Sequence, residues 1–298
     1  MRNDTYSRDF WNVMRGMNVT GDMPEDGNGG YTAPEEFVSD FNAALERENL
    51  FRRYATVIDM SAPDGKIQAV ASTGSASWVN DGALYPESAD SFTQFPLTSH
   101  KLAALTRLRE SFIKDNAFDL EKYLRNEFAR RFGRAEESAC LTGNGTDTPC
   151  GLLHATGGAQ VGVTTSANTI TCDEIRALYF SLKPEHRKNA VWLMNDNTAM
   201  ALRTLKDNSG SYLWRDSDDS IFSKPVVIAN AMPDMSSGAK AIAFGDLSYY
   251  WLVIRQSLTA KVLTELYSTQ GQIGIVAYER LDGRLILPEA VKALQMAE

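Results

Sequence analysis

The residues with the clearest chemical potential in this chain are Cys150 and His154. One turn of helix would bring the thiol and the imidazole together, and a thiolate activated by an imidazole is a nucleophile. The sequence indicates no third residue to orient the imidazole and no oxyanion donor. We therefore favour a buried thiol beside a surface imidazole, and we disfavour an α/β hydrolase-like enzyme.

Metal ligands would have to come from three histidines and three cysteines. These are His100, His154, His186, Cys140, Cys150 and Cys172. Their spacing matches neither a zinc site nor a CxxC redox pair, and the chain contains no HExxH motif and no calcium-binding loop. We expect no metal site, and we expect the cysteines to be reduced and structural.

Adjacent acids occur at Glu35-Glu36, Glu136-Glu137 and Asp218-Asp219. Two carboxylates can cleave a glycosidic bond, but adjacent acids are usually solvated surface, which is our interpretation here. The glycine-rich segment 143–151 lacks the Lys-Ser/Thr of a Walker loop and the spacing of a dinucleotide-binding turn, so we interpret it as a tight connection. The sequence thus offers no catalytic and no cofactor-binding residues.

Charge is unevenly distributed along the chain. The net charge of −8 argues against a dedicated nucleic-acid binder, because neutralising phosphates takes concentrated Lys and Arg. Residues 101–134 are nevertheless basic, with nine Lys and Arg against five acids. Within them, Arg130, Arg131 and Arg134 could meet phosphates or, as the alternative that we favour, form salt bridges within or between subunits.

Length and composition indicate a folded protein with a sizeable core. The chain has 298 residues, of which 43% are hydrophobic and 23% charged. No apolar run approaches the roughly 18 residues of a membrane-spanning helix. The first residues have no apolar stretch typical of a secretory signal, so we expect cytosolic synthesis.

The N-terminal third contains helical patterns followed by a change in character. Tyr6, Phe10 and Met14 have the spacing of a short amphipathic helix at the start of a mobile arm, and a second helical stripe extends from Phe37 to Tyr54. Residues 62–100 alternate β-branched and small residues around turn signals, with few large aliphatic side chains. They predict a long two-stranded excursion, which is marginal alone and has to lean on something else, such as another subunit.

The rest of the chain predicts a long helix followed by alternating helices and strands. A helix over 118–141 would be about 35 Å long. Thr171 and Glu174 form a capping box that starts another helix. Further elements are expected as strands at 190–195, 225–230, 241–246, 258–266, 273–282 and 284–287, and as a helix at 196–206 with Met200 and Leu205 facing inward. Asp282-Gly283 is the dipeptide of a hairpin turn.

A series of short stretches resembles the tailed-phage major capsid proteins, whose fold is named after phage Hong Kong 97. The stretches are GGYTAPEEF (29–37), ASTGSASWV (71–79), KLAA (101–104), AFDL (117–120), LTGNGT (141–146), RKNAVW (187–192), AFGD (243–246), YYW (249–251) and DGRLILPEA (282–290). None of them is catalytic. The resemblance depends on their number and order, which cover almost the whole chain.

The resemblance implies an α+β fold of the Hong Kong 97 type. An N-terminal arm would occupy residues 1–33 and an extended β-hairpin loop residues 62–100. A peripheral domain, with a spine helix at 118–141, would comprise 34–61, 101–153 and 257–283. An α/β axial domain would comprise 154–256 and 284–298. Many family members begin with a scaffolding segment that this sequence lacks, which suggests either a processed form or a separate scaffolding protein.

The same resemblance implies a shell protein with no cofactor and no catalytic site. It would assemble with itself into hexamers and pentamers of an icosahedral head, in the bacterial cytoplasm and away from membranes. Its other expected partners are a portal, a scaffolding protein or maturation protease, a decoration protein, and packaged double-stranded DNA. Arg130, Arg131 and Arg134 are the candidate DNA contacts in the lumen. An encapsulin-type nanocompartment shell is the alternative.

Overall fold

A computed structural model describes most of the chain. The described residues are 2–17, 30–60, 66–72, 78–79, 91–114, 119–206, 210–212, 214 and 219–298. The helices within them are α1 (Arg2–Met14), α2 (Glu35–Glu48), α3 (Leu50–Tyr54), α4 (Glu110–Lys114), α5 (Leu120–Thr142), α6 (Cys172–Ser181), α7 (Pro184–Arg187) and α8 (Asp196–Thr204).

The strands form two larger sheets and one isolated pair. In chain order they are β1 (Tyr31–Thr32), β2 (Thr56–Asp59), β3 (Lys66–Ser72), β4 (Ser91–Pro96), β5 (His100–Arg109), β6 (Gln160–Thr164), β7 (Val191–Met194), β8 (Ser220–Ile221), β9 (Lys224–Ile228), β10 (Lys240–Gly245), β11 (Tyr250–Leu263), β12 (Gln272–Leu285) and β13 (Val291–Gln295). The mixture of helix-covered and strand-only regions is that of an α+β protein.

The first sheet has the order β1-β11-β12-β5, with β2 added in parallel beside β11. Helices α1, α2 and α5 bury their apolar residues against it in one core cluster. The amphipathic helix expected at the N-terminus is therefore present, but it is not a free arm. Phe10 and Met14 are each only 1% exposed, in the same cluster as Phe37 and Phe132.

The predicted spine helix is confirmed as α5, displaced by one or two residues from 118–141. Its N-terminus is fixed by Asp119, whose side chain accepts the Lys122 N–H at 3.0 Å. Helix α2 crosses it closely at Gly133, where an added Cβ would lie 2.8 Å from Glu48 Cβ. A larger residue at 133 would force the two helices apart.

The second sheet has the order β6-β13-β10-β7-β9-β8. The strands expected at 190–195, 225–230 and 241–246 are confirmed as β7, β9 and β10, and all four residues of β7 are buried, as predicted. Helix α6 begins at the expected capping box of Thr171 and Glu174. The prediction that Met200 faces inward was wrong, because Met200 is 67% exposed and the buried positions of α8 are Thr198, Ala199 and Leu202. Leu205, the C-cap of the helix, is half-buried and packs against the core of the second sheet, as predicted.

The hairpin turn predicted at Asp282-Gly283 does not exist. Strand β12 runs through both residues, which pair with Val253 and Leu252 of β11. The actual connection between β11 and β12 lies at residues 264–271. Together these two 14-residue strands pass from the first core cluster into a second one that joins the two sheets, so the domain boundaries expected near residues 256 and 283 fall inside continuous strands.

Candidate functional site

Four polar side chains are sealed in the interior where the first helices, the long helix and the long hairpin meet. We call this group the buried ion cluster; it consists of Asn49, Arg52, Glu136 and Glu279. The side chains of Arg52, Glu136 and Glu279 are 4%, 0% and 3% exposed. Such burial of charge is tolerated only where the groups are paired and hydrogen-bonded.

Each member of the cluster is placed by a different element. Asn49 ends α2 and caps α3: its Oδ1 accepts the Phe51 N–H at 2.8 Å, which leaves its Nδ2 to donate to Glu136 Oε2 at 2.8 Å. Arg52 lies in the first turns of α3, Glu136 on α5 and Glu279 on β12. The cluster therefore joins three parts of the chain that are distant in sequence.

Arg52 and Glu136 form a two-pronged ion pair. Arg52 Nε donates to Glu136 Oε2 at 2.9 Å, and Arg52 Nη2 donates to Glu136 Oε1 at 2.7 Å. The same Nη2 lies 3.6 Å from Glu279 Oε2. One guanidinium thus faces two carboxyl groups, and it pairs fully with only one of them.

The pKa values of the two carboxyl groups are shifted in opposite directions. Burial opposes the charge of Glu136, but Arg52 and the hydrogen bonds to its carboxylate outweigh burial and lower its pKa. Burial, and then the adjacent Glu136 charge, raise the pKa of Glu279 well above its ordinary value. Burial also opposes the charge of Arg52, yet Glu136 raises its pKa. The cluster therefore favours the charged form of Glu136 and the neutral form of Glu279.

The cluster is built to brace the fold, because no reactant can reach it. The adjacent thiol of Cys140 is also inert: burial raises its pKa to about 12, so the nucleophilic thiolate is absent at neutral pH. A carboxylate pair with split pKa values is an acid–base arrangement when it opens to a cleft. Here the arrangement instead locks α3 and α5 onto β12.

The sequence-based interpretation of Glu136-Glu137 as solvated surface was wrong. Glu136 is fully buried, and Glu137 is partly buried, with a pKa raised by that burial. A signal for Glu136 was present in the sequence. Glu136 lies on the apolar stripe of α5, in which every fourth residue is buried: Leu124, Phe128, Phe132, Glu136 and Cys140. An acid on such a stripe needs a buried partner.

The structure does not bring the three arginines predicted as DNA contacts into one patch. Arg130 and Arg131 both pair with Glu127, at 2.7 and 2.6 Å, and Arg131 also donates to the Leu105 carbonyl at 2.9 Å. The single carboxylate of Glu127 offsets one of their two charges. Arg134 is exposed, and within the described part of the chain it makes no ion pair.

Arg134 instead lies in a groove between the helices and the edge of the second sheet. We call it the arginine groove. Its lining is formed by Arg47, Glu48, Leu50, Arg53, Arg134, Glu137, Val227, Ile228, Asn230 and Ala231. Three arginines and two glutamates thus line the same groove. Within the described residues, none of these three arginines forms a salt bridge. The groove is the clearest surface for an anion in this part of the molecule.

The remaining candidate residues are placed as structural groups. Cys150 Sγ and His154 Nδ1 both contact the carbonyl of Thr156, at 3.8 and 2.8 Å, and do not form a nucleophile–base pair. In the loop 143–151, Asn144 Oδ1 accepts the N–H groups of Thr146, Asp147 and Thr148. The loop is a tight connection, as the sequence indicated, since its donors point inward to this asparagine.

The two-stranded excursion is confirmed as the antiparallel pair β3–β4, and its turn lies outside the described residues. The pair belongs to neither large sheet. Its root is held by β11 and β12: Asp282 Oδ2 accepts the Thr98 N–H at 2.7 Å, Arg255 donates to the Leu97 carbonyl at 3.3 Å, and the Arg284 guanidinium lies 5.6 Å from the Phe95 ring centre. The segment is thus fixed at one end.

None of the three core clusters contains a described residue between 56 and 101. The described side chains of the β3–β4 pair, at Lys66 and residues 94–96, lie outside these clusters. Among the described helices, none is long and apolar enough to cross a lipid bilayer.

Comparison with known proteins gives a consistent result. The model of the phage capsid family matches residues 29–296. The chain is 26% identical over 197 residues to the probable major capsid protein gp17 of Mycobacterium phage L5, a match that covers 63% of this chain and 59% of that protein. The chain thus spans about 59% of the length of this curated relative.

Solved structures resemble the chain over more of its length. The capsid of an empty GTA particle superposes with a TM-score of 0.73 at 30% identity, covering 84% of this chain and 90% of the other. A chain from Microbacterium phage Oxtober96 has a TM-score of 0.59 at 20% identity, covering 94% and 93%. The second likeness shows the fold alone.

Proposed function

Because this chain belongs to the phage capsid family, we propose that it is a major capsid protein that self-assembles into the icosahedral head of a tailed bacteriophage around double-stranded DNA. The observation that carries the proposal is the family match across residues 29–296. The β3–β4 pair supports it, since a segment rooted in its own subunit but paired with neither of its large sheets is suited to clasping a neighbour.

We further propose that the fold is of the Hong Kong 97 type. The first sheet with α2 and α5 would be the peripheral domain, the second sheet with α6 and α8 the axial domain, and residues 62–100 the extended loop. The continuous strands β11 and β12 would join the two domains, and the buried ion cluster would brace that junction. In this proposal α1 belongs to the N-terminal arm, docked on the peripheral domain.

The contents of purified particles test the proposal against the encapsulin alternative. Particles from cells that make the complete phage should contain double-stranded DNA and, beside this chain, portal and accessory proteins in small amounts. Particles filled with a cargo enzyme and free of DNA would contradict the phage assignment. The assay is nuclease-resistant DNA content together with mass spectrometry of the proteins.

We propose that DNA contacts are weak, independent of sequence and centred on Arg134 rather than on Arg130 and Arg131. Arg134 lines the arginine groove together with Arg47 and Arg53, whereas Arg130 and Arg131 share the carboxylate of Glu127. A chain of charge −8 cannot wrap DNA tightly, so diffuse attraction is expected.

Replacing Arg134 by Ala is expected to reduce the salt dependence of binding to a duplex. Loss of one phosphate contact should lower the slope of log K against log salt by about 0.9. The matched control is Arg130→Ala. Arg130 lies one helical turn before Arg134 and already pairs with Glu127, so its replacement should change the slope much less. Fluorescence anisotropy at several salt concentrations measures both. Equal effects of the two variants, or tight sequence-selective binding, would be evidence against this surface.

A further inference from the structure

A second cluster of ligand-type side chains lies far from the buried ion cluster, at the short helix α7. Its members are Glu185 and His186 of α7 and Glu289, from the turn that precedes β13. One imidazole nitrogen and one oxygen from each carboxylate lie within 4.8 Å of one another. These elements are about a hundred residues apart in sequence, so the fold itself assembles the group.

The imidazole at the centre of this cluster is buried and lacks a hydrogen-bond partner. His186 is 5% exposed, and its Nε2 makes no hydrogen bond. The nearest acceptor is Glu185 Oε1 at 3.6 Å, which is too long for a hydrogen bond. Tyr249 holds the ring edge-on at 5.1 Å between ring centres, so the nitrogen is fixed in direction. A buried polar atom without a partner costs about 1–3 kcal/mol, which points to a ligand.

The distances suit a metal ion. In a tetrahedral site with bonds of about 2.1 Å, neighbouring ligand atoms lie about 3.4 Å apart. The separation between His186 Nε2 and Glu185 Oε1 is 3.6 Å, and Glu185 is exposed and can adjust. Nitrogen with carboxylate oxygen is the donor set of zinc and its neighbours, whereas calcium and magnesium prefer oxygen alone.

A cation already lies at this position. Lys183 Nζ is 2.8 Å from Glu289 Oε2 and 4.0 Å from Glu185 Oε1. Its hydrogen bond to Glu289 comes first among the causes that raise the pKa of Lys183 and lower the pKa of Glu289. The Lys183 ammonium offsets one of the two carboxylate charges, whereas a divalent ion in its place would offset both. The Lys183 side chain is 54% exposed and can turn away into solvent.

We propose that His186, Glu185 and Glu289 form a binding site for a divalent first-row transition metal ion, zinc in the first instance, in competition with the Lys183 ammonium. The bound ion would complete its coordination with water and would tie α7 to the turn before β13. Its role is to brace one end of the second sheet, since α7 leads into β7 and that turn leads into β13, and the first residues of both strands pair with Gly245 of β10.

Calorimetric titration of the metal-stripped full chain with zinc chloride tests the site. The wild-type chain should bind one zinc ion and magnesium far more weakly. Glu289→Gln and His186→Gln should each weaken zinc binding by about tenfold or more, because even outer-shell changes cost roughly 10–100-fold. Lys183→Ala should strengthen it, since the competing cation is removed. The control is His154→Gln, which changes another histidine outside the cluster and should leave binding unchanged.

Three results would overturn the site: no zinc binding by the wild-type chain, binding that survives both Glu289→Gln and His186→Gln, or binding that Lys183→Ala fails to strengthen. Thermal unfolding with and without zinc gives a second readout. The melting temperature of the wild-type chain should rise with zinc, and that of Glu289→Gln should not. If His186→Gln folds poorly, Glu289→Gln and Lys183→Ala still decide the outcome.

Discussion

The Glu136→Gln variant is expected to lose about 3–5 kcal/mol of unfolding free energy at pH 7, whereas Glu279→Gln is expected to be as stable as the wild type or more stable. Both substitutions exchange a buried carboxyl group for an amide beside the same guanidinium. Removing Glu136 leaves the Arg52 charge buried without its two-pronged partner, a change that costs this much in other proteins. Burial raises the pKa of Glu279 and favours its neutral form, so a neutral amide in its place costs little.

The pH dependence of stability separates the two groups further. Because folding lowers the pKa of Glu136, its stabilising contribution is present above the unfolded-state pKa of about 4.3. That contribution is lost as the pH falls through the folded-state pKa. Because the pKa of Glu279 is raised, its contribution is complete below about 4.3 and is lost as the pH rises toward its folded value. Glu279→Gln should therefore gain most over the wild type at neutral and alkaline pH.

Denaturant unfolding of the unassembled chain, followed by tryptophan fluorescence from pH 4 to pH 9, measures both effects. The two variants are matched in chemistry and in burial, so each is the control for the other. A Glu136→Gln variant within about 1 kcal/mol of the wild type, or a Glu279→Gln variant equally destabilised at pH 7, would show that Arg52 does not discriminate between the two carboxyl groups.

Replacing residues 66–96 by a short Gly-Ser linker is expected to abolish normal shell assembly while leaving the subunit folded. The β3–β4 pair joins neither large sheet, and its described side chains, at Lys66 and residues 94–96, belong to none of the three core clusters, so we expect its removal to take little apolar area from the subunit itself. It does remove a long ribbon available to a neighbouring subunit, and interfaces depend on such area. The replacement keeps Leu97 and Thr98, which bind Arg255 and Asp282 at the root.

Sedimentation measures assembly of this variant, and thermal unfolding of the soluble subunit is its control. A shortened subunit that unfolds at nearly the wild-type temperature but forms no closed shells agrees with the account. Normal shells from the shortened chain would contradict the role of the extended segment. A subunit that no longer folds would contradict the expectation that the segment adds little to the core of its own subunit.

Local sequence signals predicted the elements whose stability is local. The spine helix follows from the apolar spacing within 120–142 and the Asp119 cap, and α6 follows from its capping box. The strand β7 follows from a short apolar run, all four residues of which are buried. In each case propensity, pattern and packing favour the same structure.

The signals that failed were overruled by distant parts of the chain. Asp282-Gly283 favours a turn locally, but both residues pair with β11, and Asp282 serves as the acceptor for Thr98. Gly283 is required for another reason: the Tyr250 hydroxyl lies 2.6 Å from where its Cβ would be. Glu136 was misjudged because its partner Arg52 lies 84 residues away. Pairing over such distances has no signature in a local pattern.

Electron microscopy of the purified chain, over a range of concentration and salt, tests whether the chain assembles into a shell. A shell-forming subunit should yield rings of five and six copies and closed or curved shells built from them, in which the β3–β4 ribbon of one subunit lies over the next. A population that consists only of separate monomers under every condition, with no ring or shell, would contradict the proposal that this chain is a major capsid protein.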